Sequence, residues 1–171
     1  MLSFFWGKNT FSKYLTILKE SKRFKGEKIM IKLSFNYALA QLERKMRTGN
    51  YESHFIFENV LPMQSEYIQE MMNFYCKEKW LQPLQVTPQT LYEGYSESLS
   101  SFSGNFYKES FSYDLLILSE LETIEKENIN IVRDIVVKYL GDNKIAVLIS
   151  KNHFIKNLII PERFLNEIII C

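Results

Sequence analysis

The sequence predicts an α/β fold, in which a mostly parallel sheet is flanked by helices to make a single three-layer domain. Two segments of the last third, 115–118 and 145–149, are continuous apolar runs of the kind that form strands buried on both faces. Between them, residues 131–140 carry apolar side chains at helical spacing. A strand–helix–strand order with fully apolar strands favours parallel pairing, because the connecting helix covers the sheet.

Composition agrees with one globular domain. The chain has 171 residues, of which 46% are hydrophobic and 15% aromatic, which is more apolar surface than a disordered chain carries. The longest apolar run, 145–149, is far shorter than the ~20 residues of a membrane-spanning helix, so no membrane span is predicted. We expect residues 1–171 to form one domain, with 1–50 as its basic helix–strand–helix N-terminal part.

The N-terminus and the cysteines predict a cytoplasmic protein. No basic residue precedes the short apolar patch at 4–6, and no small-residue cleavage site follows it, so the pattern is not that of a secretory signal. Cys76 and Cys171 are too few for a disulfide framework and are expected to be reduced thiols. The abundance of Lys, Asn, Ile and Phe favours an AT-rich genome, such as that of a bacterium or its phage.

The spacing of apolar residues predicts the order of the elements. The first half should form a helix at 10–26, a strand at 29–35, a helix at 37–46, a strand at 54–61 and a helix from Ser65 toward Trp80. Pro83 and Pro88 interrupt the next stretch, and 82–112 is predicted to be a long, serine-rich connection with partly buried aromatic residues, which could include a short strand around Gln85 to Thr87. The last third should form strands at 113–118 and 144–149 around a helix at 130–141, then a third strand at 154–160 and a short helix or strand at 162–170.

Charge is unevenly distributed along the chain, although the net charge is only +1. Residues 1–50 hold 11 basic and 3 acidic side chains, whereas residues 51–127 hold 4 basic and 13 acidic ones. The basic segment fits a polyanion such as nucleic acid, or it docks on the acidic middle of the chain. Tyr14, Phe24 and Tyr37 stand nearby and could stack on bases. The candidate binding patch comprises Lys19, Lys22, Arg23, Lys25, Lys28, Lys32, Arg44, Lys45 and Arg47.

The sequence contains no recognisable metal-binding or nucleophilic constellation. His54 and His153 lie far apart, and no CxxC or HxxxH spacing occurs. Cys76 falls next to the apolar face of its predicted helix, which indicates an inert buried thiol. The carboxylates at 120, 122, 125 and 127 are typical of a solvated helix start. We therefore predict no catalytic residue, no metal and no cofactor.

A glycine-rich phosphate loop is also missing from the sequence. The glycines stand at 7, 26, 49, 94, 104 and 141, and none forms a G-x-G arrangement. Residues 59–63, at the end of the predicted second strand, carry side chains that keep the backbone away from a phosphate or adenosyl group. The expected topology is Rossmann-like or P-loop-like, without the glycine-rich loop.

Two segments, Tyr113–Glu120 and Asp142–Ile149, resemble known families. They resemble the second half of class I S-adenosylmethionine methyltransferases, in which an aromatic–Asp pair opens a buried strand, and Glu58 would then stand on that family's cofactor-binding strand. They are also similar to the Walker B strand and the following strand of helicase-loader ATPases, with Ser119 where an acid is expected before Glu120. The resemblances imply an α/β fold with Asp114, Glu120 and Glu58 as polar groups near strand ends.

Three functions remain compatible with these patterns. The missing glycine loop and catalytic groups, with the aromatic residues of 82–112, favour a non-catalytic interaction or regulatory protein that contacts another protein. The first alternative is nucleic-acid binding through the basic patch. The second is a methyltransferase-like or nucleotide-binding enzyme with divergent loops and a pocket near 58–65 and 114–120. The partner and the oligomeric state stay open.

Overall fold

Within the residues that the computed structural model describes, the chain forms a parallel sheet with helices on both faces. The described residues are 31–32, 34–51, 54–100, 112–142, 144–153, 159–161, 163–164 and 168–170. The elements in chain order are β1 (Ile31–Lys32), α1 (Phe35–Thr48), β2 (His54–Phe57), α2 (Pro62–Lys79), β3 (Pro83–Val86), α3 (Pro88–Ser100), β4 (Leu115–Leu118), a 3-10 turn (Leu121–Thr123), α4 (Ile129–Gly141), β5 (Ala146–Ile149) and β6 (Ile168–Ile170). None of these helices is long and apolar enough to span a membrane.

The six strands are all parallel and stand in the order β1-β6-β2-β5-β4-β3. The last two strands of the chain are inserted between earlier ones, so that β5 lies between β2 and β4. This confirms the predicted α/β fold with a parallel sheet. Because every strand runs in the same direction, all the connecting helices run back along the sheet, and their C-terminal ends meet at the amino edge of the strands.

The three central strands divide the core into two halves. β2, β4 and β5 are buried at every position, as the continuous apolar runs predicted for β4 and β5. Successive side chains alternate between the faces. Phe57, Ile117 and Val147 pack with α1 and α2, whereas Ile56, Leu116 and Leu148 pack with α4. Each face is therefore covered by helices. Polar groups are left at the two ends of the strands, which we call the amino edge and the carboxyl edge of the sheet.

The prediction of a long irregular connection at 82–112 is wrong for residues 88–100, which form α3. The short strand expected around 85–87 is present as β3 at 83–86, paired in parallel with β4. Both prolines occupy positions that regular structure tolerates, since Pro83 opens an edge strand and Pro88 opens a helix, where the missing N–H would have no partner. Leu91 of α3 is fully buried against the α4 side of the core. Residues 101–111, with Phe102, Phe106 and Tyr107, lie outside the described residues.

His54 is an unusual residue for the start of a buried strand. Its side chain is only 2% exposed, and neither ring nitrogen has a hydrogen-bond partner within the described structure. Burial lowers the pKa of His54 from 6.5 to about 4, because the imidazolium loses its hydration in this apolar surrounding. The ring is therefore neutral at physiological pH.

We expect His54 to make the fold sensitive to mild acid. Above pH 6.5 the histidine is neutral in both states, and as pH falls toward 4 the unfolded state binds the proton first. The free energy of unfolding should drop by about 3 kcal/mol more in the wild type than in His54→Leu across this window. Urea titrations of both proteins between about pH 7.5 and pH 4 measure the difference. Parallel stability–pH curves would contradict it.

Candidate functional site

The carboxyl edge of the sheet collects polar side chains from three strand ends. Glu58 follows β2, Ser119 and Glu120 follow β4, and the segment 150–153 follows β5. Ligands of open parallel sheets bind at this edge, so it is the first place to look for a site. Asp114, by contrast, precedes β4 and lies at the opposite edge, where its Oδ2 accepts a hydrogen bond from the Gln82 N–H at 2.7 Å. The structure therefore separates Asp114 from Glu58 and Glu120.

Backbone hydrogen bonds hold the loop between β2 and α2 against the end of β5. The Ser150 N–H donates to the Phe57 carbonyl at 2.9 Å, and the Val60 N–H donates to the Ser150 carbonyl at 3.2 Å. Asn59 takes up the left-handed conformation, with φ of 53°, a region that Asn enters more readily than most residues. The buried Val60 side chain anchors the loop further. The loop thus has a defined course without a glycine.

The N-terminus of α2 is closed by the chain itself. Pro62 is its first residue and has no N–H, and the Leu61 N–H donates to the Gln64 side-chain oxygen at 2.8 Å. The sequence predicted a start at Ser65, but the helix begins three residues earlier, because proline suits the first helical position. A helix N-terminus binds anions through backbone N–H groups that have no other partner. Gln64 uses one of these donors.

A cleft of about 630 Å³ lies between α2 and the ends of β3 and β4. Three carboxylates, those of Glu66, Glu70 and Glu120, line it together with a single cation, Lys151. The hydroxyls of Ser65 and Ser119 also face the cleft. Its field is negative, which disfavours a phosphorylated ligand.

The other carboxylates of this edge have structural partners. Glu122 accepts hydrogen bonds from the Ser150 hydroxyl at 3.1 Å and the Lys151 N–H at 3.0 Å, and so joins the 3-10 turn to the end of β5. The nearly buried Glu58 carboxylate lies 3.4 Å from Nδ1 of the exposed His153, whose ring also contacts the Asn59 amide. No group of three His, Cys, Asp or Glu in the described part of the chain could hold a metal ion. Cys76 is buried, and burial raises the pKa of its thiol to about 11, so the thiol is unreactive.

The amino edge of the sheet holds the members of the predicted basic patch that lie on α1. Arg44, Lys45 and Arg47 stand in the last two turns of α1, and Arg47 is two-thirds exposed. Tyr75 of α2 donates a hydrogen bond to Glu43 of α1 at 3.1 Å, so the two helix ends lie side by side. Lys32 is the second residue of β1. Lys19, Lys22, Arg23, Lys25 and Lys28 lie outside the described residues.

The last turn of α2 adds two cations that the sequence analysis missed. Lys77 and Lys79 are exposed there, beside the fully exposed Trp80 that ends the helix. Residues 51–127 are strongly acidic as a whole, and averaging over that segment hid the two lysines. A lysine next to a tryptophan at the end of a predicted helix, as at Lys79 and Trp80, is the sequence feature that points to these two cations.

No protein-family model matches the chain, and no curated protein matches its sequence. Solved structures do match in fold. A DNA replication initiation factor matches with a TM-score of 0.64 at 12% identity, over 88% of this chain and 48% of the other. The replication initiator DnaA bound to AMPPCP and single-stranded DNA matches with 0.62 at 11% identity, over 78% and 44%. The DnaC helicase loader matches with 0.60 at 13% identity, over 79% and 88%.

These neighbours are AAA+ P-loop domains. Of the two expected topologies, the P-loop-like one is therefore confirmed, and the similarity to helicase loaders proved more accurate than that to methyltransferases. The chain spans about half the length of the first two neighbours. At these identities the likeness establishes the fold alone.

One of these neighbours, DnaA, is bound to the nucleotide analogue AMPPCP. The residues described at the corresponding end of the sheet in this chain do not fit a nucleoside triphosphate. The β2–α2 loop has side chains from Glu58 to Gln64 where a phosphate needs close backbone approach. Gln64 already accepts the Leu61 N–H, and three of the four charged side chains lining the adjacent cleft are negative. Among the described residues that line this cleft, Lys151 is the single cation, whereas a triphosphate requires several.

The main functional prediction, a non-catalytic protein that acts by contact with another protein, is wrong. It rested on the missing glycine loop, but the fold matches replication initiators and a helicase loader even without those glycines. Glycines in that loop allow a ligand to approach the backbone closely. They do not determine the order of the strands, so their absence does not exclude this fold. The comparison favours the alternatives that involve nucleic acid or nucleotide.

We expect Gln64 to stabilise the start of α2 in place of a ligand. Gln64→Ala leaves the Leu61 N–H without its acceptor and should lower the free energy of unfolding by about 1 kcal/mol. Gln64→Glu retains an acceptor at the positive end of the helix and should be as stable as the wild type or more so. Urea denaturation at neutral pH measures both. Equal stability of Gln64→Ala and the wild type would show that the bond contributes nothing.

Proposed function

We propose that this chain is a DNA-binding protein of the replication-initiator and helicase-loader fold, which contacts DNA through basic side chains at the amino edge of its sheet. The observation that carries the proposal is the exposed cluster of cations where α1 and α2 end, on a fold shared with a protein that was captured on single-stranded DNA. Of the structures that share this fold, DnaA is a replication initiator and DnaC is a helicase loader.

The charge balance at this edge supports the proposal. Five cations stand in the last two turns of the two helices, against the carboxylates Glu43 and Glu78 of the same turns and Asp114 before β4. Glu43 is engaged by the Tyr75 hydroxyl and by Arg47, at 3.1 and 3.6 Å. The cations are Arg44, Lys45, Arg47, Lys77 and Lys79. A surplus of positive charge on one exposed surface is the electrostatic footprint of a nucleic-acid contact.

The N-terminal segment would extend this contact. It supplies Lys19, Lys22, Arg23, Lys25 and Lys28, and it leads directly into β1. Its role stays a prediction, since these residues lie outside the described part of the chain. The carboxyl edge is a poor place for DNA because its cleft is negative. Phosphates are therefore expected at the amino edge.

Fluorescence anisotropy with labelled DNA tests the proposal. The wild type should bind at about 50 mM salt, and its affinity should fall steeply toward about 200 mM, because each phosphate contact releases a counterion. The double variant Arg44→Gln/Arg47→Gln should bind several-fold more weakly and should have a shallower salt dependence, by roughly 0.7 in the log–log slope for each lost contact on a single strand.

A matched control removes cations on the opposite face of the sheet. Lys126→Gln/Arg133→Gln neutralises one residue in the turn before α4 and one on α4, both exposed. This variant should bind DNA like the wild type. The absence of wild-type binding at about 50 mM salt, or equal binding by the two double variants, would refute the proposed contact.

Binding to DNA should not depend on ATP. Because the β2–α2 loop does not fit a triphosphate, ATP with Mg²⁺ should change neither the melting temperature nor the DNA affinity. A ligand at about 100 times its Kd should add ~2.7 kcal/mol of stability, so a thermal-shift assay at millimolar ATP detects even weak binding. A clear upward shift would show that the loop rearranges to admit a nucleotide.

A further inference from the structure

Trp80 has no structural reason to be a tryptophan. It ends α2 in the left-handed conformation, with φ of 58° and ψ of 32°, a position where helices prefer glycine and where a bulky residue is strained. Its side chain is 93% exposed, so it contributes almost nothing to the core. Its backbone N–H donates to the Cys76 and Lys77 carbonyls, and the Leu81 N–H also donates to the Cys76 carbonyl, at 2.9 Å, so main-chain groups close the helix. Any residue that tolerates this conformation would do the same.

A groove and two cations lie beside Trp80, and a second exposed ring stands earlier on the same helix. The groove, of about 530 Å³, is lined by Asn73, Lys77, Leu81, Gln82 and Pro83. Phe74 lies six residues before Trp80 on α2, is 57% exposed, and contacts Tyr75 edge-to-face at 5.3 Å between ring centroids. Lys77 and Lys79 flank the indole in the sequence.

We propose that Trp80, with Phe74, is a stacking platform for unpaired bases of single-stranded DNA, and that the adjoining groove receives one of these bases. Lys77, Lys79 and Arg47 would contact the phosphates on either side. This inference rests on the proposed DNA binding and deepens it, because it names the site and the form of DNA that the site prefers.

The preference for a single strand follows from the geometry of stacking. The faces of duplex bases are covered by their neighbours, and only an unpaired base has a face available to an exposed indole. Aromatic rings between cations form the usual sequence-tolerant platform for single strands, since every base has a π-face and every linkage a phosphate. The site lies at the amino edge, opposite the negative cleft, and so requires no nucleotide.

Trp80→Gly is the decisive variant, because glycine suits the backbone conformation and the lost side chain is nearly all exposed. We expect a melting temperature equal to or above that of the wild type. Affinity for an oligothymidylate of about 20 nucleotides should fall roughly 5- to 100-fold, whereas affinity for a duplex should hardly change. Trp80→Asn, which also tolerates this conformation, should behave alike.

Two further measurements sharpen the test. In a Trp6→Phe background Trp80 is the only tryptophan, and its fluorescence should be quenched by oligothymidylate in proportion to binding. Tyr67→Ala removes another exposed aromatic of α2, one that lies toward the carboxyl edge, and should leave the affinity unchanged.

The outcomes separate the platform from DNA binding itself. If Arg44→Gln/Arg47→Gln weakens binding while Trp80→Gly binds single strands like the wild type, the platform is refuted and the DNA contact stands. If the wild type binds no DNA, the proposed function fails and the platform fails with it. If Trp80→Gly abolishes a concentration-dependent self-association seen by sedimentation and leaves single-strand affinity intact, Trp80 is a protein contact and the inference is overturned.

Discussion

Burial of the three central strands on both faces is the constraint on which the rest of this structure depends. β2, β4 and β5 expose no side chain, so their residues are apolar except for the neutral His54, and each face of the sheet must be covered by helices. The parallel direction of the strands then places all helix N-termini at one edge and all C-termini at the other. Polar side chains are confined to these two edges, which differ in charge: the carboxyl edge has an acidic cleft, and the amino edge carries cations.

The carboxyl edge is held together by the chain's own groups. Main-chain bonds join Phe57 and Val60 to Ser150, and Gln64 offers a side-chain acceptor to the Leu61 N–H. Glu122 likewise ties the end of β5 to the 3-10 turn. These contacts give the β2–α2 loop a defined course without a glycine.

The amino edge carries the opposite charge. The helix C-termini that meet there favour cations, because their carbonyl ends are partially negative, and the lysines and arginines of α1 and α2 complement them. Four of these cations are exposed and Lys45 is half-buried, and most of them have no carboxylate partner within the described residues. Their stabilising role at helix ends and a role in holding phosphates are compatible, because a phosphate replaces water and not the protein's own contacts.

Local pattern determined most elements of this protein. The continuous apolar runs of β4 and β5, the helical spacing of α4 and the stop at Gly141 are visible in the sequence because burial on one or both faces leaves a direct periodic trace. The helix at 88–100 is not visible in the pattern because proline usually interrupts regular structure, whereas Pro88 opens α3, where its missing N–H costs nothing. The separation of Asp114 from Glu58 depended on strand direction and could not be seen in the sequence.

Only the tertiary structure decided the strand order, the negative cleft and the meeting of α1 with α2. Strand order follows from long-range pairing, which leaves no local pattern, since β5 and β6 are as apolar in one position of the sheet as in another. The cations of α1 and α2 are some thirty residues apart in the chain and become one surface because Glu43 and Tyr75 bring the helix ends together. Sequence determines which residues are buried or charged; the packing of the helices on a common sheet determines which of them act together.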